Sequence, residues 1–384
     1  MIPSRADLHE RLERLRTRPA VAVDCEFHSE GTYYPELCLV QLAAGDEAFA
    51  LDPLEHDPAV LGPLLADPAI VKVFHSGEID VQVLARATGG PIRTVFDTQI
   101  AAAFAGHDAS PGYALLVERL CGVALSKTSQ FTDWRARPLS PEQITYALND
   151  VRYLLPMADT LKADQVRRGR LAWAQQEIDE MVGRALTPRD RSRQYLKLGP
   201  FREMSPRQLA ILREVAAWRD ERAAQLNLPV QRVAADRALR QLAFDPPRSV
   251  GEVAELRGLQ GLGRGAAGLH EAVEHALALP DDRCPPVFAS RVRDLRLEPV
   301  AQLLATALRV RANELAIAPS MIANRDDLEV LAGWHFAGRT EPAPELASPT
   351  GWRFAAAGDL LQGVLAGRVR VRVDADAPVG VVVE

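Results

Sequence analysis

Two acidic residues placed two positions apart in an otherwise apolar run constrain this chain more than any other feature. The run is Ala20-Val-Ala-Val-Asp-Cys-Glu-Phe27, short and rich in strand formers. Side chains at i and i+2 of a strand share a face, so Asp24 and Glu26 point the same way. Carboxylates so placed repel each other and lose hydration, which costs several kcal/mol if nothing compensates. Two resolutions are open at this point. Either the strand lies at a wet sheet edge, or a divalent cation sits against the pair, and oxygen-only ligands suit Mg²⁺ or Mn²⁺.

The surrounding pattern is mixed α/β over residues 1–160. Further strands are expected at 38–43, 47–51 and 70–74, with hairpin-type turn residues in Gly31-Thr-Tyr-Tyr-Pro35. Helical spacing takes over at 79–88, 98–104 and 112–120. Ser140-Pro-Glu-Gln143 then supplies an N-cap, a proline at the first helical position and acid in the first turn. Strands alternating with helices predict a sheet covered by helices. After a basic, helical connection at 165–193 the pattern is all helix, with apolar residues repeating at three and four over 207–225. Pro229, Pro246, Pro247, Pro280, Pro285 and Pro286 punctuate it and place boundaries near 200 and 283. A third helical segment runs to Gly367. The tail alternates Arg368-Val-Arg-Val-Arg-Val373, turns at 374–378 and continues to Val383, which reads as a β-hairpin.

Composition narrows the function classes. With 47% hydrophobic and 25% charged residues among 384, the chain has a globular balance. No apolar run approaches the roughly 18 residues of a membrane span. The opening MIPSRADLHE lacks an apolar signal core, and Cys25, Cys38, Cys121 and Cys284 lie far apart with no CxxC. A cytoplasmic, reducing location is expected. The net charge of −6 is uneven: residues 1–161 carry 13 basic and 22 acidic side chains, residues 162–222 carry 14 and 9. An acidic front beside a basic middle fits carboxylate chemistry next to a phosphate-attracting surface, and it also fits solvated helix faces.

Two clusters extend the first. His75-Ser-Gly-Glu-Ile-Asp80 follows a strand and opens a helix, so Asp80 lies near a strand's carboxyl end, where α/β sheets gather ligand sites. Tyr146-Ala-Leu-Asn-Asp150 lies in the helix capped at Ser140, and its i, i+4 spacing stacks the phenol and the carboxylate on one face. Gly263-Arg-Gly-Ala-Ala-Gly268 matches G-x-G-x-x-G, but no strand precedes it. A nucleotide cofactor is therefore not expected, and the glycines read as a turn between helices, structural or phosphate-binding.

Taken in order, these clusters resemble the DEDD superfamily of 3′→5′ exonucleases and, within it, the ribonuclease D family. The resemblance is carried by Val23-Asp-Cys-Glu-Phe27, Tyr33-Tyr-Pro-Glu-Leu37, Val40-Gln-Leu42, His75 to Asp80 and Asp97-Thr-Gln99. It continues through Thr132-Asp-Trp134 and Arg137-Pro-Leu139 to Tyr146 and Asp150. One branch of the superfamily has His five residues before the last Asp, the other Tyr four before it. Position 145 is Thr and position 146 is Tyr, which places the chain with the tyrosine branch. Beyond the nuclease, Leu228-Pro, Asp236, Leu239, Pro247 and residues 252–263 resemble an HRDC domain. Residues 302–331 resemble a second unit of that kind.

The resemblance implies a ribonuclease H-like mixed sheet flanked by helices, followed by two all-α HRDC-type domains. The expected boundaries are 1–195 for the exonuclease, 200–282 and 283–367 for the helical domains, and 368–384 for the tail. It implies a hydrolase that trims RNA 3′ ends, tRNA precursors in particular, and releases 5′-nucleoside monophosphates. Two divalent ions, Mg²⁺ or Mn²⁺, would be held by Asp24, Glu26, Asp80 and Asp150, with Tyr146 orienting the attacking water. Phe27, His75, Lys127 and Arg135 are candidate substrate contacts, with Arg137 as a further phosphate contact; each also has a purely structural reading. A DNA exonuclease on the same frame, a silent nucleic-acid-binding protein and a small-nucleotide phosphatase are the rival classes.

Overall fold

The computed structural model describes residues 3–125, 132–201, 203–259, 261–287, 294–339 and 342–384. Its sheet has five strands: β1 (Ala20–His28), β2 (Glu36–Ala44), β3 (Glu47–Leu51), β4 (Val71–Phe74) and β5 (Val95–Asp97). Their order is β3-β2-β1-β4-β5, which makes β1 the central strand. The wet-edge resolution for Asp24 and Glu26 therefore fails. β1 and β4 run parallel, as do β4 and β5, while β2 and β3 are antiparallel, so the sheet is mixed. Val21, Val23 and Cys25 bury one face of β1, leaving Asp24 and Glu26 on the other. The β1–β4 register ends at Ala22↔Val73, so both carboxylates lie on the stretch of β1 beyond it.

The sequence pattern does not mark β5. Three residues are too few for an alternation to show, and its strand character comes from pairing with β4. The connection at 165–193 is helical in successive pieces. It spans the end of Leu154–Arg168, a break at Gly169 and the helix Leu171–Leu186, before a 3-10 segment begins at Arg191.

Contacts divide the chain into two units. One joins Met1–Phe27, Leu37–Leu186 and Asp294–Glu384; the other joins His28–Glu36 with Thr187–Arg293. In the first unit, the sheet and its helices share one apolar core. The helices Leu297–Leu315 and Arg325–Phe336 build another around Leu304, Leu308, Leu331 and Trp352, and this core also takes in Phe104 and Ala174. Buried Glu177 ties the two together, accepting from Trp352 Nε1 at 3.2 Å and from Arg353 Nη2 at 2.8 Å. The tail strands Val371–Val373 and Val381–Val383 pair antiparallel.

In the second unit the helix Pro206–Leu226 begins with a capping box between Ser205 and Gln208. The helix Gly265–Ala278 packs against it in a core of Leu209, Leu212, Val215, Leu269 and Val273. The glycine motif serves this packing. A Cβ at Gly268 would lie 2.8 Å from Trp218 Nε1, so only glycine lets the helices approach this closely. No helix among the described residues is long and apolar enough to cross a membrane.

Candidate active site

β1 delivers Asp24 and Glu26, and the capped helix Pro141–Arg152 delivers Tyr146 and Asp150. One oxygen each from Asp24, Glu26 and Asp150 can be chosen so that all three lie within 4.8 Å of one another. Tyr146 lies one turn before Asp150 on the same helix, and its phenol opposes the rise that burial gives the Asp150 carboxyl. The Tyr146 ring rests against Trp134, centroid to centroid 6.1 Å, in a small apolar cluster with Cys38, Leu139 and Ala147. Asp80, near the start of the helix Glu78–Thr88, is only 6% exposed. It stands outside the three-carboxylate group, close enough to Asp24 to feel its charge.

The electrostatics are those of negative charge without compensation. Burial, then repulsion from Asp150, pushes Asp24 up to about 8. Burial and the charges of Asp24, Asp150 and Asp80 push Glu26 to about 9. Burial pushes Asp150 to about 7 against the opposing, lowering effect of the Tyr146 phenol. Asp80 is raised well above the carboxylate range by burial and by Asp24. Burial first, then Asp150, also raises the Tyr146 phenol, so its proton stays on Oη at neutral pH. The donors in this group are all oxygens, and buried Asp80 Oδ1 has no hydrogen-bond partner. Hard, oxygen-seeking divalent cations such as Mg²⁺ or Mn²⁺ fit this set, and a soft metal does not.

Supporting residues were harder to read from the sequence. Gln41, fully buried on β2, directs Nε2 to Glu26 Oε1 at 3.5 Å. A lone amide inside the buried run from Cys38 to Ala44 was the available signal. Arg137 clasps Asp52 at 2.5 and 2.9 Å and donates to the carbonyls of Trp134 and Cys38. Its guanidinium is spent on the fold, which corrects the expectation of a phosphate contact. Asp97 accepts from the backbone N–H of Gly77 at 2.8 Å, fixing the turn that launches the Asp80 helix. A Cβ at Gly77 would fall 2.5 Å from Phe74 Cβ, so this turn needs glycine. Tyr113 donates to the Asn149 carbonyl at 2.6 Å, holding the residue before Asp150.

Of the candidate substrate contacts, Phe27 packs part-buried against the main core. His75 is held through Nδ1 by Thr98 Oγ1 at 2.9 Å, while its buried Nε2 has no partner. Arg135 is exposed and paired with Asp133 at 3.0 Å. Lys127 lies outside the described residues.

A family model described as a 3′-5′ exonuclease matches residues 1–164, and an HRDC domain model matches residues 208–264. Ribonuclease D of Gluconacetobacter diazotrophicus is 36% identical over 97% of this chain and 94% of its own length. Ribonuclease D of Granulibacter bethesdensis is 37% identical over 92% of this chain and 89% of its own. Among solved structures, the Escherichia coli RNase D is similar with a TM-score of 0.82 and 32% identity. The match covers 96% of this chain and 98% of that one, and that protein is described as an exoribonuclease involved in structured RNA processing. The catalytic core of RRP6 from Trypanosoma brucei matches with a TM-score of 0.54 and 29% identity, over 72% of this chain and 80% of that one.

Proposed function

The chain belongs to the ribonuclease D family of 3′→5′ exoribonucleases, and on that premise we propose that it trims RNA 3′ ends, tRNA precursors among them. Hydrolysis would use divalent ions held by Asp24, Glu26, Asp80 and Asp150 and release 5′-nucleoside monophosphates. The observation that carries this reading is the convergence of Asp24, Glu26 and Asp150, with Tyr146 one helical turn from the last of them. When bound, two such ions lower the pKa of a water, neutralise charge on the phosphoryl oxygens and assist the leaving 3′ oxygen.

The chain's own residues do the rest. Asp24, Glu26 and Asp150 present oxygens from two elements whose relative position is set by the Trp134 cluster and the Arg137–Asp52 pair. Asp80 adds its unpartnered Oδ1 from the Cys25 side. Tyr146 keeps its proton, so it acts as a donor that orients and not as a base. We further assign residues 1–195 to the exonuclease domain, 200–282 and 283–367 to two HRDC-type domains, and 368–384 to a tail. The two helical regions have separate apolar clusters, which supports dividing them from each other.

The test is degradation of 3′-labelled and 5′-labelled RNA, beside matched DNA, with Mg²⁺, Mn²⁺ or EDTA. Early release of the 3′ label as mononucleotide, with RNA preferred and EDTA abolishing it, is expected. Faster loss of the DNA would replace the substrate class, and activity in EDTA would remove the metal. A tRNA precursor with a 3′ extension, trimmed back to the mature end, tests the finer substrate.

A further inference from the structure

The segment that joins β1 to β2 belongs to the other unit. Residues His28–Glu36 group with Thr187–Arg293, although the strands on either side are part of the sheet. Within that unit the Tyr33 hydroxyl donates to Asp220 Oδ2 at 2.8 Å, and Asp220 is only 2% exposed. Arg189 approaches the same carboxylate at 3.4 Å and lies over the Tyr33 ring, 5.0 Å from its centroid. Arg191 approaches it at 3.6 Å. The next residue, Tyr34, donates its backbone N–H to Asn227 Oδ1 at 3.0 Å. Asn227 is the left-handed cap of the helix Pro206–Leu226 that carries Asp220. Two successive residues of a strand connection are thus fastened to one helix. Burial, then Asp220, pushes the Tyr33 phenol up to about 12, so it remains a donor.

What this segment connects is specific. Glu26 precedes it by two residues, and Gln41, which bonds Glu26, follows on β2. Ends of strands are where local opening costs least, so pinning their connection restrains the residues at those ends. We propose that Tyr33 is a positioning residue for the exonuclease site: its bond to Asp220 holds the 28–36 segment and, through it, the end of β1 that carries Glu26. The proposal rests on the reading of Glu26 as a site carboxylate. It gives the HRDC-containing unit an effect on turnover that does not require that unit to touch RNA.

The experiment uses the full chain with saturating Mg²⁺ and a short single-stranded RNA. For Tyr33→Phe, kcat is expected to fall about fivefold with KM nearly unchanged, the signature of lost positioning in place of lost binding. Amide exchange over residues 27–36, measured without substrate, should accelerate. Asp220→Asn keeps an acceptor oxygen and should stay near the parent, whereas Asp220→Ala should reproduce Tyr33→Phe. Combining Tyr33→Phe with Asp220→Ala should be no worse than Asp220→Ala alone, because both delete the Tyr33–Asp220 bond. A rise in KM with kcat unchanged would make Tyr33 a substrate contact and overturn the proposal. Losses that add in the double variant would overturn it too. Unchanged exchange overturns the tether whatever the activity of the parent, so failure here is separable from failure of the functional reading.

Discussion

Asp24 and Asp52 are both enclosed aspartates of the same unit, and they have opposite fates. Asp52, 1% exposed, is met by the Arg137 guanidinium at 2.5 Å and by the Leu54 N–H at 2.9 Å. Burial alone would raise it, but these partners outweigh burial and hold it below the usual carboxylate range. Asp24 has Glu26 and Asp150 for neighbours and is pushed up to about 8. A fold that supplies a cation to one buried carboxylate and only more carboxylates to another has left the second set for something else to neutralise. The difference marks function without reference to any relative.

The comparison is tested most severely at the site itself. Asp24→Asn or Asp150→Asn should reduce turnover by about 10³-fold, roughly 4 kcal/mol of transition-state stabilisation. Because repulsion is relieved, their melting temperature without metal should equal or exceed the parent's. Full activity of either variant in Mn²⁺ would dissolve the contrast with Asp52.

The opposite pattern is expected at Asp52. Asp52→Ala strands a half-buried arginine, and breaking such a pair costs roughly 3 kcal/mol of stability. Turnover per folded molecule should change little. Denaturant unfolding read beside active-site-normalised rates separates the two kinds of carboxylate, and an Asp52 variant that is stable but inactive would erase the distinction.

Tyr146→Phe removes the hydroxyl one helical turn from Asp150 and keeps the ring against Trp134. A fall in kcat of about 10²-fold with RNA affinity retained is expected for a positioned proton-bearing group. A variant within twofold of the parent would show that the tyrosine only packs.

The smallest effect is in pH dependence without metal. The folded-state pKa values of Asp24, Glu26 and Asp150, about 8, 9 and 7, lie above those of the unfolded chain. Their contribution is therefore fully present near pH 4 and lost as pH rises through about 7 to 9. Asp52 has the reverse sign, contributing above about pH 4 and losing its contribution in acid. In EDTA the parent should melt a few degrees lower at pH 9 than at pH 5.5, and Mg²⁺ should remove most of that gap. Asp24→Asn should narrow it without metal. A gap unchanged by that substitution would assign the pH dependence to other groups.

What the sequence determined by itself is whatever short-range geometry dictates. A two-residue strand period puts Asp24 and Glu26 on one face, a four-residue helical spacing aligns Tyr146 with Asp150, and Ser140-Pro-Glu-Gln143 starts their helix as read. Tertiary structure decided what depends on distant partners. It made β1 central, gave Val95–Asp97 its strand character, engaged Gln41 with Glu26 and kept Asp80 apart from the other three carboxylates. It also claimed Arg137 for Asp52 and assigned residues 28–36 to the unit of 187–293. Arg137 and Asp52 are 85 positions apart and Tyr33 and Asp220 are 187 apart, beyond the reach of any local periodicity. Which side chain neutralises which carboxylate is settled only when the chain has folded and desolvation makes each unpaired charge costly.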